Sequence, residues 1–245
     1  MILRSVMRHV RDQNWFAVGL DFLIVIVGVF IGIQVANWNE ARVEIQREAI
    51  YLAALREDFN QIIAELEADV RAYETTANAM TFLVGQSQKQ SPDASVATLN
   101  EAAEQLIKME STPIVADTYS NLTGSGDLSI IKSQALKNEL ASFYSYTAVI
   151  QLVANTHELQ LVNIFQPYII ENLDYAVLLE DGRGVPRPPA SVPGEILAAL
   201  STQEFRNVVS IKWDITTDIR DVLLYALERA RGVEARLVQE SGDQS

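Results

Sequence analysis

The chain has 245 residues, enough for one good-sized domain and an anchor, and it carries a formal net charge of −13. Nucleic acids and anionic lipid surfaces attract basic patches, so the acidic balance argues against both as targets of the main domain. The chain contains no cysteine, which excludes disulfides, thiolate zinc sites and cysteine nucleophiles.

The first predicted element is a membrane-spanning helix over residues 15–38, preceded by a basic cytoplasmic tail over residues 1–14. Between Trp15 and Trp38 only Asp21, Gln34 and Asn37 are strongly polar. A helix of this length places the two tryptophans about 34 Å apart, close to the thickness of a bilayer's hydrocarbon core plus its interfaces. Because tryptophan prefers those interfaces, one at each end favours a spanning helix.

The charges that flank this helix predict its orientation. Arg4, Arg8 and Arg11 precede it, whereas the segment after it is mixed, with Glu40 and Arg42 first. The positive-inside rule therefore places the N-terminus in the cytoplasm and exports the rest, to the periplasm or the cell exterior. A cleavable signal peptide is the alternative, but the run is longer than a usual signal core and lacks a small-x-small cleavage site at its end.

One face of the membrane helix carries the most site-like pattern, with residues at steps of three and four: Asp21, Val25, Gly28, Gly32 and Val35. Gly28 and Gly32 form a small-xxx-small pair, which lets two helix backbones approach closely. The pattern predicts an interface with a second copy or another membrane protein, in which Asp21 pairs or is held protonated. The alternative is that Asp21 reaches the cytoplasmic headgroups near Trp15.

Tryptophans and amides at the ends of this helix are predicted to be interfacial anchors: Trp15, Gln34, Asn37, Trp38 and Asn39. No charged residue lies between Asp21 and Glu40. At the outer end the amides are expected to hydrogen-bond lipid headgroups or a neighbour, while Trp38 fixes the depth of the helix.

Residues 39–240 are predicted to form an exported helical bundle. Apolar residues recur at steps of three and four along its first helix, which is typical of packing along a narrow seam: Leu52, Leu55, Phe59, Ile62, Leu66, Val70, Tyr73, Ala77, Met80 and Val84. No glycine or proline lies between Val35 and Val84, so the membrane helix is expected to continue unbroken into the bundle. A polar loop over residues 86–95 and a shorter helix over residues 96–109 follow, and Pro113 ends that helix.

Local signals divide the remainder of the bundle. Residues 117–122 indicate a helical turn, residues 123–127 a tight connection, and Ser133 the N-cap of a long helix that Pro167 kinks or ends. A proline-rich loop follows over residues 181–193. Ser201 opens a capping box with Glu204 before the last helix, and residues 241–245 form a disordered tail. The predicted fold class is all-α: an N-terminal transmembrane helix continuing into an elongated antiparallel helical bundle.

The exported region shows no catalytic constellation. The neighbours of His157 fit neither a di-iron bundle nor a zincin, and Thr123 stands two before Ser125, where a nucleophile elbow needs glycine. Acidic residues such as Glu57 and Glu65 fall on the solvent side of the apolar seam. We therefore predict no catalytic, cofactor-binding or metal-binding residue, no cofactor and no enzyme activity.

The membrane helix resembles the N-terminus of a known bacterial family. Residues 21–40 read DFLIVIVGVFIGIQVANWNE, similar to the family's acidic residue (commonly Glu), glycine-containing apolar run, Gln and terminal Asn-Trp-Asn-Glu. Residues 119–132 resemble its second motif, a Ser-Gly turn before a long helix, with Gly124 as an extra residue. The family is a domain of unknown function in uncharacterised single-pass membrane proteins. The resemblance implies a single-pass protein with a helical exported domain, and no particular activity.

Together these features predict a membrane-anchored, non-enzymatic helical interaction module in the bacterial inner membrane. It is expected to form a homo-oligomer or to join a membrane-protein partner through its anchor helix, as an accessory subunit of an envelope complex, without binding nucleic acid. The alternative is a periplasmic sensor that holds a small ligand near Phe143, Tyr144, Tyr146 and His157 and signals through a partner. An enzyme that uses carboxylates alone is a third hypothesis.

Overall fold

The computed structural model describes residues 15–110, 114–179, 188–189 and 195–242. Within these ranges the chain is helical and has no strand, which confirms the all-α fold class. The helices in chain order are α1 (Trp15–Ser87), α2 (Val96–Glu104), α3 (Asp117–Ser125), α4 (Gln134–Gln160), α5 (Gln166–Asn172), α6 (Glu195–Leu200) and α7 (Gln203–Gly242). The predicted basic tail, Pro113 and most of the predicted proline-rich loop lie outside the described residues.

The chain divides into two compact units, Met1–Ile50 and Tyr51–Ser245. Helix α1 contributes to both, as a single helix of 73 residues, which confirms the continuity that the absence of glycine and proline predicted. The units divide after Ile50, inside α1, and the predicted end of the membrane helix at residue 38 stays a prediction.

The bundle unit is built on the apolar stripe of α1. From Leu52 to Met80 every predicted stripe position is buried, and Leu55, Phe59, Ile62, Leu66 and Met80 have no exposed surface. The prediction is wrong at the end of the stripe, where Val84 is only half-buried and Leu83 is buried instead. The step after Met80 is three residues rather than four, so the seam rotates slightly around the helix there.

The chain that follows α1 runs back alongside it. Successively later residues of this connection hydrogen-bond to successively earlier residues of α1. The donor–acceptor distances are 2.9 Å for Thr76–Gln105, 2.7 Å for Tyr73–Glu110 carbonyl, 3.3 Å for Asp58–Thr118 amide and 3.0 Å for Tyr51–Asp127. Residues 88–133 thus return the chain to the beginning of the bundle before α4 starts.

This return decides how the three long helices are directed. Ring contacts join Phe59 to Phe143 and Tyr73 to His157, with centroid distances of 5.0 and 6.1 Å, so α1 and α4 run parallel. Helix α7 is antiparallel to both, as shown by its contacts Arg236–Glu139, Lys212–His157 and Arg231–Glu67. The predicted antiparallel arrangement therefore holds for α7, whereas α1 and α4 share one direction because the long connection lies between them.

The regular α-helix α4 ends at Gln160, and helical residues continue from there through Pro167. Ser133 caps α4 as predicted, with its Oγ accepting from the Leu136 amide at 3.3 Å. A π-helical turn over Leu161–Phe165 follows α4, and α5 continues with Pro167 in its first turn. Because proline lacks an N–H and its ring clashes with the carbonyl four residues earlier, the wider turn just before it accommodates the residue without ending the helical path.

Three predicted element ends are displaced in the structure. Helix α2 ends at Glu104, and residues 105–107 form a turn rather than further helix. The N-cap of α7 is Thr202, whose Oγ1 accepts from the Phe205 amide at 3.1 Å, whereas Ser201 donates to the Ala198 carbonyl. The predicted capping box at Ser201 is thus wrong by one residue, since the neighbouring hydroxyl of Thr202, which can also cap a helix, takes the position. Helix α7 also continues to Gly242, into the predicted disordered tail.

The tight connection after α3 is shorter than predicted. Helix α3 continues through Thr123 and Gly124 to Ser125, and the turn is made by Gly126, whose φ is +80°. No atom lies within 4 Å of a Cβ built on either glycine, so only backbone conformation distinguishes the two positions.

We expect Gly126→Ala and Gly124→Ala to change the free energy of unfolding in opposite directions. Alanine at Gly126 must adopt a left-handed conformation, which costs about 1 kcal/mol. Alanine at Gly124 improves a helical position and gains roughly 0.5–1 kcal/mol. Urea unfolding followed by far-ultraviolet circular dichroism measures both. Equal effects of the two substitutions would contradict the assigned end of α3.

Candidate functional site

The predicted interface residues of the anchor lie on an uninterrupted stretch of α1. Asp21, Val25, Gly28, Gly32 and Val35 are all exposed. A Cβ added at Gly28 or Gly32 would meet no atom within 4 Å. Because the helix is continuous, their spacing places them on one face. The face is therefore open within the described residues, and its role as an interface stays a prediction.

The predicted interfacial anchors lie at the ends of the same apolar segment. Gln34, Asn37, Trp38 and Asn39 are exposed, with 70% of the Trp38 surface accessible. Trp15 is the first residue of α1, and its side chain lies outside the described ones. The apolar segment of this helix has a mean hydropathy of 2.3 and no buried residue, so it is long and apolar enough to cross a membrane.

The bundle unit contains a buried pair of basic side chains, of which the sequence pointed to His157 but not to Lys212. Lys212 of α7 and His157 of α4 have no exposed surface, and Lys212 Nζ lies 2.7 Å from His157 Nε2. The same ammonium donates to the backbone carbonyl of Lys108 at 2.7 Å. One amine therefore joins α7, α4 and the connection that follows α2.

The surroundings of this pair are aromatic and polar but not acidic. Lys212 Nζ lies 5.1 Å from the centre of the Phe165 ring, and Tyr73 and Phe165 both pack against the imidazole. Among the described residues no carboxylate lies within ion-pairing distance of Lys212. Three buried atoms of neighbouring turns have no hydrogen-bond partner in the described structure: His157 Nδ1, Gln160 Oε1 and Thr216 Oγ1.

Burial shifts the titration of both basic groups. It lowers the pKa of Lys212 to about 7, because an apolar interior disfavours the ammonium. Burial and, second, the charge of Lys212 lower the pKa of His157 to about 3. The imidazole is therefore neutral near pH 7, where Nε2 accepts a hydrogen bond from Lys212 when the ring proton is on Nδ1.

The aromatic residues considered as lining of a ligand pocket do not face one common space. Phe143 packs on Phe59, and Tyr144 stacks on Tyr119 with ring centroids 4.4 Å apart. Tyr146 instead contacts Tyr225 and Arg229. Burial raises the pKa of Tyr144 above its usual value, with the nearby Asp58 as the second cause. These contacts are those of side chains packed against one another rather than of a shared ligand pocket.

Three cavities of the described bundle unit are a small one and two open grooves. The small, partly open cavity of about 40 Å³ lies beside Leu66, Tyr73 and Ile150, and it has room for a few water molecules at most. An open groove of about 400 Å³ is bordered by Lys108 and Leu178, and another of about 320 Å³ by Met80 and Trp213. Lys212 and His157 line none of these three spaces. In the described part of the chain no group of three or more metal-ligating side chains converges.

The sequence contains one signal of the position of Lys212 in the core, but not of its partners. The buried residues of α7 recur at steps of three and four, and Lys212 occupies a place in that pattern between Val208 and Ile215. A lysine at such a place often extends its charged end to solvent, which is why the pattern alone did not indicate a buried amine. Its partners lie 55 and 104 residues away in sequence, at distances that no local signal spans.

Comparison with protein-family models, curated proteins and solved structures finds no match to this chain. The resemblance of residues 21–40 and 119–132 to the family of single-pass membrane proteins therefore stays a prediction.

We expect the stability of the bundle to fall in acid through His157. Its pKa of about 3 in the fold is below the ordinary 6.5, so the unfolded chain binds more protons between those values and stability is lost as the pH falls through them. The slope contributed is at most about 1.4 kcal/mol per pH unit. His157→Gln should lose that slope between pH 6.5 and 5, measured by urea unfolding of the full chain in mild detergent.

The corresponding alkaline effect is expected from Lys212. Its lowered pKa makes stability rise with pH between about 7 and 10.5, because the lysine of the unfolded chain keeps its proton up to a higher pH. Lys212→Met should abolish this rise, whereas Lys137→Met, at a partly exposed position of α4, should retain it. If both variants keep the wild-type slope, the amine is not buried as described.

Proposed function

We propose that the protein is a membrane-anchored, non-enzymatic interaction module whose anchor helix associates with a second copy or with another membrane protein. The observation that carries the proposal is the exposed apolar segment of α1, in which Gly28 and Gly32 leave an open notch on the face shared with Asp21. Two helices pack closely where small residues align, and a carboxyl group at the membrane is stabilised by a partner.

The bundle unit supports this proposal by its construction. Its buried basic groups Lys212 and His157 bond to each other, and Lys212 also bonds to a backbone carbonyl; neither lines the two grooves or the cavity described above. They therefore act within the fold as a link between segments. A sensor for small ligands has less support, since the cavity near Tyr73 and Ile150 has room for a few water molecules and the two larger spaces are open grooves.

The proposed topology has a cytoplasmic N-terminus and an exported bundle in the bacterial inner membrane. Because the chain has no cysteine, single cysteines report each side without background. We expect Ser91→Cys, in the exposed loop after α1, to react with a membrane-impermeant maleimide in cells whose outer membrane is permeabilised. Ser5→Cys should react only after the inner membrane is opened. The reverse pattern, or release of Ser91→Cys from membranes by alkaline carbonate, would contradict the anchored topology.

The anchor interface is tested by Gly28→Leu/Gly32→Leu in the full chain. Filling the notch should separate the helices and abolish a homo-oligomer or a co-purifying membrane protein seen with the wild type. Affinity purification in mild detergent with mass spectrometry and size analysis is the measurement. Val29→Leu/Ile33→Leu, which leaves the glycines intact, is the matched control. A wild type that is monomeric and purifies alone contradicts the proposed function.

A further inference from the structure

Helix α4 presents an exposed face that differs in charge from the rest of the bundle unit. Residues 140–170 contain one acidic residue, Glu158, and no lysine or arginine. By contrast, residues 51–245 together carry 27 acidic and 14 basic side chains other than histidine. Arg229 of α7 contacts the first part of this segment, at Ser142 and Tyr146. The nearly uncharged surface is therefore the four turns from Val149 to Val162, which differ in charge from the rest of an acidic protein.

Aliphatic side chains form a stripe along this face. Leu152 and Leu159 keep 66% and 64% of their surface exposed, and Val162 keeps 55%. With Val149 and Thr156 they recur at steps of three and four, the spacing of a helix that packs lengthwise against another. We call Val149, Leu152, Thr156, Leu159 and Val162 the neutral stripe.

The polar residues beside the neutral stripe are already hydrogen-bonded within their own helix. Gln151 donates to Asn155 at 2.7 Å, Thr156 to the Leu152 carbonyl at 3.0 Å, and Asn163 to the Leu159 carbonyl at 2.7 Å. Each of these side chains thus has one hydrogen bond that covering the face does not break, which lowers the cost of removing it from water. The inner side of the same helix is thinly covered, because between Phe143 and Phe165 the one buried residue is His157.

We propose that the neutral stripe is a contact surface for a second copy of this chain. The charge distribution selects that occupant: two acidic bundles repel each other at most faces, and like surfaces meet without repulsion where the charge is absent. A basic partner would instead be attracted to the acidic faces. The neutral stripe is about 20 Å long and about 10 Å wide, so a symmetric pair covers on the order of 400 Å² in total, less than a specific contact between free proteins needs. The contact therefore depends on the copies sharing one membrane.

The proposal rests on the proposed function in that it names a second copy as partner, but it uses a surface of the bundle and not the anchor. Two copies held in one membrane meet at a high effective concentration, so a stripe of moderate apolar area suffices. The two surfaces can therefore be tested separately.

Disulfide cross-linking in membranes tests the stripe directly, since the chain has no cysteine of its own. Leu152→Cys, Thr156→Cys and Leu159→Cys are oxidised in membrane vesicles and run on non-reducing gels. Leu224→Cys is the matched control, because Leu224 is an exposed leucine (41%) of α7 beside Asp221 and Glu228. We expect a dimer band several-fold stronger than the control at one or more stripe positions. Yields no higher than the control at all three positions overturn the proposal.

A charge substitution provides the second measurement. Leu159→Glu should weaken self-association by about a hundredfold, since like charges then face each other across the contact. Leu224→Glu adds the same charge elsewhere and should leave association unchanged. Both proteins are checked for wild-type circular dichroism, and association is measured by sedimentation in mild detergent. Equal effects of the two variants, or loss of a different co-purifying protein without any cross-linked dimer, would overturn the second copy as occupant.

The anchor variant separates the two proposals. In a Gly28→Leu/Gly32→Leu background, cross-links at the stripe that persist show that the bundle contact forms independently of the anchor. Cross-links that require the glycines support the stripe contact and the anchor interface together. If cross-links are absent while the wild type still oligomerises through the glycines, the stripe proposal fails and the proposed function stands.

Discussion

The apolar stripe of α1 is the surface on which the bundle unit is assembled. The returning connection bonds to it through Tyr51, Asp58, Tyr73 and Thr76, and α4 meets it at Phe59. A segment packed along an apolar seam can slide at little cost, because one aliphatic contact replaces another of similar energy. The directional bonds along its edge, such as Tyr73 to the Glu110 carbonyl, remove that freedom, since a displaced chain leaves a buried donor or acceptor without a partner.

Lys212 also fixes the register by directional bonds, but in the interior of the bundle unit. A methionine of similar volume would avoid the cost of burying an amine, so hydrophobic stabilisation does not explain the residue. Its ammonium, however, meets the Lys108 carbonyl and His157 Nε2, each at 2.7 Å, on two separate segments. A shift of α7 by one turn, about 5.4 Å, would leave the amine among apolar side chains. The amine thereby fixes the register among α7, α4 and the connection, and its cost is a lower stability at neutral pH than in alkali.

The features that the sequence predicted are the ones decided by neighbours within about four residues. The seam from Leu52 to Met80 and the Ser133 cap depend on local spacing and one local hydrogen bond, and both are found. The parallel direction of α1 and α4 depends on bonds such as Tyr51–Asp127, which join residues distant in sequence. Thr202 rather than Ser201 caps α7, by accepting from the Phe205 amide. Intrinsic capping preference does not select Thr202 over Ser201, so the position of the helix start in the fold decides between the two hydroxyls.

The candidate surfaces follow the same division between local and distant information. Helical spacing alone places Gly28 and Gly32 on one face, whereas the exposure of Leu152 and Leu159 becomes visible only when the fold shows which side of α4 is covered. In the proposed assembly, an anchor would bring copies together and a neutral stripe would then need only weak attraction. A more apolar stripe would bind more tightly but would also associate without the anchor, before the bundle reached its membrane. The stripe has a modest aliphatic content, and the amides beside it bond within their own helix. This composition suits a contact that forms only after the anchor has brought two copies together.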